Sequence, residues 1–76
     1  GVIDEVREDS YIENYTEITV NGRKTIYCTH KTMNLSLMSM ELPHINGELW
    51  LTTSPKKSMN EMKALLSGLD AQRTAF

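Results

Sequence analysis

Cys28 and His30 stand two residues apart, and on a β-strand that spacing turns both side chains to one face. A thiol beside an imidazole suits metal ligation or a Cys–His nucleophile pair. His44 is a third candidate ligand. Structural zinc takes four ligands, usually including paired cysteines, and this chain has one cysteine and two histidines. No third catalytic residue accompanies the pair. Cys28 therefore reads as a small buried hydrophobe, with no metal, no cofactor and no catalytic role expected. Carboxylates are densest in the first seventeen residues, a stretch too weakly structured to hold acid–base geometry. The four glycines never cluster, so no phosphate-cradling loop is readable. The expectation is a protein that is not an enzyme.

Basic residues offer a different chemistry. Lys56 and Lys57 precede an apolar helical pattern, where lysine charge and the helix dipole would add and attract a phosphate. Arg23 and Lys24 follow a turn signal and would crown a hairpin tip. The run Ser54-Pro55-Lys56-Lys57-Ser58 resembles the start of the closing helix of double-stranded-RNA-binding domains, where lysines grip phosphates across the groove. That resemblance is local. Asn60 stands where a further lysine is expected, no first helix is evident, and the preceding leader is acidic, so the chain is not assigned to that family.

The elements that would position these groups follow from periodicity. Tyr11 to Val20 alternates, with Ile12, Thr16, Ile18 and Val20 on one face and Tyr11, Glu13, Tyr15 and Glu17 on the other. Asn21-Gly22 then signals a hairpin. A two-residue loop would set Ile18 beside Thr25 and Glu17 beside Ile26, mixing apolar and polar faces. A three-residue loop with a bulge at Gly22 would instead put Ile26 and Cys28 on the Ile18 side, and this is the register predicted. Lys31 to Leu42 fits a strand or a helix. Met33, Leu35 and Leu37 alternate, and Met38, Met40 and Leu42 alternate with the opposite parity. A strand with a bulge near Leu37-Met38 reconciles the two sets, and Pro43 ends it. Asn46-Gly47 closes a second hairpin, predicted with a two-residue loop that sets Leu42 opposite Leu51 and leaves Trp50, Ile45 and Pro43 on the other face. The helix is predicted over 55–69, from the Ser54-Pro55 cap or the Ser58-to-Glu61 capping box, with Met59, Met62, Leu65, Leu66 and Leu69 as its apolar stripe and Gly68 as its terminator.

The fold class is therefore α+β. It comprises a four-stranded antiparallel sheet over 11–53 built from two Asn-Gly hairpins, one C-terminal helix on one face, a short acidic leader at 1–10 and a tail at 70–76. All of it forms one small domain. At 76 residues and 8.7 kDa a second domain is excluded. Apolar residues make up 39% of the chain and charged residues 24%, a globular composition with no run long enough to span a membrane. The net charge of −2 hides an asymmetry. One arginine against six carboxylates leaves residues 1–17 at −5, and seven cations against four carboxylates leave residues 18–76 at +3. A lone cysteine and the lack of a basic-then-apolar start point to a reducing, cytoplasmic setting.

One helix covers part of one sheet face. Trp50, Ile45 and five methionines then need partners, and uncovered apolar sheet recruits them. The function expected is non-catalytic binding of another protein, as a small adaptor or inhibitor, with self-association through the sheet. The expected anchors are Tyr27, Ile45 and Trp50, with Arg23 and Lys24 as rim charges. The alternatives are nucleic-acid binding through Arg23, Lys24, Lys31, Lys56 and Lys57, and an oligomer sequestering a nucleotide-like ligand between Trp50, His44 and lysine.

Overall fold

The computed structural model describes residues 10–74. Four strands follow in chain order: β1 (Ile12–Val20), β2 (Arg23–His30), β3 (Ser36–Leu42) and β4 (Gly47–Thr53). Helix α1 (Met59–Thr74) comes last. Each strand pairs antiparallel with the next, in the order β1-β2-β3-β4, so β1 and β4 form the two edges. The α+β architecture read from periodicity is the one observed. The acidic leader falls outside the described residues up to Asp9, and so do the last two residues of the tail. No helix among the described residues is long and apolar enough to cross a membrane.

The first turn is tighter than predicted. Val20 pairs directly with Arg23 across Asn21-Gly22, and both turn residues have positive φ, 51° and 78°. That is the primed two-residue turn that Asn-Gly favours. Ile18 accordingly faces Thr25 and Glu17 faces Ile26. Ile26 and Cys28 lie on the face opposite Ile18, not with it. The mixing that argued against this register is tolerated because both faces bury apolar side chains. The bulge lies elsewhere, in β1, where the register slips between Glu13 and Thr16 and Asn14 takes φ of 56°. The extra residue turns Ile12 away from Ile18 and places it with Tyr15.

The second half corrects three further expectations. β3 starts only at Ser36 and runs in unbroken register with β2 and β4. Its two parity sets serve two faces, so no bulge is needed at Leu37-Met38. The β3–β4 connection takes four residues, with a 3-10 turn over Pro43–Ile45 and Asn46 at φ of 52°, so Leu42 meets Gly47 and Met38 meets Leu51. The register is displaced by four residues, an even number, so Leu49 and Leu51 stay on the Leu42 face and Trp50 stays on the other. The capping box, not Ser54-Pro55, starts the helix. The Ser58 hydroxyl accepts from the Glu61 N–H at 3.2 Å and donates to the Glu61 carboxylate at 3.2 Å. α1 passes through Gly68 because its last turns are anchored. Asp70 is buried and bonded to Asn21, Arg23 and Arg73.

Two apolar clusters result. Under α1, Val20, Tyr27, Met38, Met40 and Leu42 pack with Met62 and Leu66, flanked by Ile18, Leu49, Leu51 and Met59. A fully buried side chain of this size contributes about 1.5–3 kcal/mol in apolar transfer. On the other face Ile26 and Cys28 are buried among Ile12, Tyr15 and Leu37.

Candidate functional site

Cys28 and His30 do share a face, yet neither is poised for chemistry. Cys28 is fully buried. The Nδ1 atom of His30 accepts the backbone N–H groups of Thr32 and Met33 at 3.2 and 3.0 Å, which assigns the neutral ring its proton on Nε2. The ring stacks on Tyr11 with centroids 5.8 Å apart and planes 7° apart. His30 thus ties the β2–β3 loop to the start of β1. His44 lies in the 3-10 turn at the opposite end of the sheet. Among the described residues no three metal-ligating side chains gather.

Three of the candidate cations, Arg23, Lys24 and Lys57, each lie within 4.0 Å of a carboxylate. Arg23 turns under the helix, where Nη1 donates to both oxygens of Asp70 at 3.0 and 2.9 Å. Asn21 donates to the same carboxylate at 2.8 Å, and Arg73 donates at 2.8 Å. The hydrogen bond from Asn21 and that from Arg73 hold the Asp70 carboxyl below its ordinary value. Burial opposes the shift, and the charges of Arg23 and Arg73 add to it. Lys24 lies 3.9 Å from Glu17, and Lys57 4.0 Å from Glu61. Lys57 also precedes the helix and closes it onto the sheet through its backbone. Its N–H donates to Ser36 at 2.7 Å, and its carbonyl accepts from the Tyr27 hydroxyl at 2.7 Å. The Lys56 N–H donates to the Asn34 side chain at 3.0 Å, so both lysines belong to the strap entering α1.

The three expected anchors separate. Tyr27 is only 9% exposed, inside the helix-side core with its hydroxyl satisfied, so it does not belong to a binding surface. Trp50 and Ile45 do remain outside, at 46% and 61%. The indole N–H donates to Glu48 at 3.4 Å, which lays the ring along its own strand. Beside Trp50, a cleft of about 180 Å³ is walled by Ile12, Cys28, Leu35, Leu37 and Thr52 and is nearly all apolar. Its volume is on the scale of one aromatic ring. His44 does not line it.

Two surface residues were missed. Leu65 and Leu69 belong to the apolar stripe of α1, yet they are 45% and 43% exposed. Met62, Leu66 and Asp70 face the sheet, and Ser67 bonds Asn21 at the first hairpin. A turn of about 100° per residue puts Leu65 and Leu69 on the flank of α1 away from Ser67. The width of the apolar stripe was the available signal, because five apolar positions exceed what one sheet contact can bury. Of the large exposed apolar side chains, Trp50 lies on β4, Ile45 in the turn before it and Leu65 and Leu69 on α1, whereas Tyr11 and Met33 lie at the other end of the sheet. Neither a family model, nor a curated protein, nor a solved structure matches this chain.

Proposed function

We propose that this protein is a small, non-catalytic protein-binding module that presents β4 and its flanks, and that it associates with itself through the sheet. The observation that carries this reading is that the edge strand β4 and the turn before it leave Trp50 and Ile45 exposed. Trp50 lies on the face away from α1, Ile45 lies at the entry to β4, and Leu65 and Leu69 add exposed apolar surface on the helix that follows. Aromatic and aliphatic anchors around a hydrogen-bonding edge suit an extended protein segment. The electrostatics favour protein over nucleic acid. The face bearing Trp50 also bears Glu17, Glu41 and Glu48, and Lys24 is already beside Glu17. A chain with one cysteine and no disulfide suits a reducing, cytoplasmic compartment.

Hydrophobic-dye emission over a dilution series tests this. The dye is expected to bind the dilute chain, with the signal reduced in Trp50→Ser and Leu65→Lys. Absence of dye binding together with absence of self-association at every concentration would overturn the reading.

A further inference from the structure

We propose that the β4 edge takes a second copy of this chain, in an antiparallel register centred on Trp50, to make a continuous eight-stranded sheet. The proposal rests on the protein-binding reading above and names its partner.

The two edges of the sheet differ in protection. β1 carries the bulge at Asn14 and the exposed carboxylates Glu13 and Glu17, devices that discourage edge pairing. β4 reads Gly-Glu-Leu-Trp-Leu-Thr-Thr, pairs with β3 in unbroken register, and has no proline and a single charge. Its outer side meets no strand among the described residues.

The direction of its backbone groups follows from the first turn. A two-residue primed turn makes Val20 and Arg23 a hydrogen-bonded pair, and alternation carries that parity across the sheet. The loop bonds agree. The His30 N–H reaches Leu35 on the β3 side, and the Lys31 N–H reaches Tyr11 on the β1 side. Met40 then bonds Leu49, Met38 bonds Leu51, and the N–H and C=O groups of Glu48, Trp50 and Thr52 point outward.

A two-fold axis at Trp50 uses all three residues. Trp50 pairs with Trp50 of the second copy, and Glu48 pairs with Thr52 of the second copy on each side. Each such pair exchanges two N–H···O bonds. A register centred on Glu48 would oppose two carboxylates and shorten the overlap, and like charges directly opposite are unfavourable. On the helix side, Leu49 meets Leu51 of the second copy. α1 touches β3 and β4 before its last turns reach the first hairpin, so each copy would bring its helix to the same side of the joined sheet.

Chain mass in solution and cysteine cross-linking test this together. In a Cys28→Ser background, Trp50→Cys is expected to form a disulfide-linked dimer under mild oxidation, since opposed Cα atoms lie about 5.5 Å apart. Thr52→Cys is expected to stay unlinked, its two copies being about 13 Å apart. Thr52→Pro removes only an outward N–H, so it should keep the native circular dichroism and reduce the mass from twice 8.7 kDa to 8.7 kDa. If Thr52→Pro does not fold, the cross-linking pattern decides. A dimer that fails to link at Trp50→Cys, or that links equally at Thr52→Cys, overturns the register and leaves the protein-binding reading standing. A chain that is monomeric throughout but binds the dye overturns self-association and leaves only the binding of a different protein standing. A monomer that binds no dye removes both.

Discussion

Arg23 of the first hairpin meets the buried carboxylate of Asp70, forty-seven residues later, with one nitrogen at 2.9 and 3.0 Å from its two oxygens. This contact fastens the last turns of α1 to the sheet and explains why the helix continues past Gly68. Hydrogen bonds from Asn21 and Arg73 reach the same carboxylate and are the larger causes of its lowered pKa. The folded-state value lies below the unfolded one, so the stability it contributes is present above about pH 4 and lost as pH falls through the folded-state value. Thermal unfolding of the wild type should show a downward step in midpoint below about pH 4, and Asp70→Asn should flatten that step. An Asp70→Asn variant with the same pH profile as the wild type would contradict this. At pH 7, Asp70→Ala leaves Arg23 without its partner and is expected to cost about 2 kcal/mol.

Tyr27 tests the helix-side core. Its hydroxyl donates to the Lys57 carbonyl at 2.7 Å, closing the strap that precedes α1. Tyr27→Phe should lose about 1 kcal/mol in urea unfolding with an unchanged m-value, and should leave self-association unaffected. A loss of association in Tyr27→Phe would return Tyr27 to the binding surface and contradict its placement in the core.

Ser39 is buried on the other face with its hydroxyl unpartnered among the described residues. A buried hydroxyl without a hydrogen bond is costly, so Ser39→Ala should be neutral or stabilising by up to about 1 kcal/mol. A urea midpoint clearly below that of the wild type would show that the hydroxyl is satisfied.

Gly68 lies inside α1, and a Cβ added there meets no atom within 4 Å. Gly68→Ala should raise stability by about 0.5–1 kcal/mol, the usual helix-interior difference. A lower thermal midpoint in Gly68→Ala would mean that the helix ends before this position.

Local chemistry made most of the fold legible. Asn21-Gly22 marked the first turn, Asn46-Gly47 marked the end of the second, and the Ser58-to-Glu61 box marked the helix start. Register was harder, because parity arguments assume one wet face. Here Thr25 is buried beside the helix while Ile26 and Cys28 are buried on the reverse, so alternation identified no solvent side. The bulge at Asn14 moved Ile12 by a positive φ that no apolar pattern records. The ends of α1 escaped for a related reason. A long-range anchor, Arg23 to Asp70, outweighs a glycine's local preference for stopping. Of the expected anchors, Trp50 and Ile45 lie on the surface, whereas Tyr27 alternates with buried partners and satisfies its hydroxyl inside. Leu65 and Leu69 were hidden in a stripe wider than the sheet can cover.

β4 is the side by which we propose that this chain meets another protein, itself included. Light scattering of the unmodified chain over a wide concentration range measures this most directly. The expected result is a mass rising from 8.7 kDa toward twice that value as concentration increases, and abolished by Thr52→Pro. A mass of 8.7 kDa at every concentration, from a chain that also binds no hydrophobic dye, would contradict it.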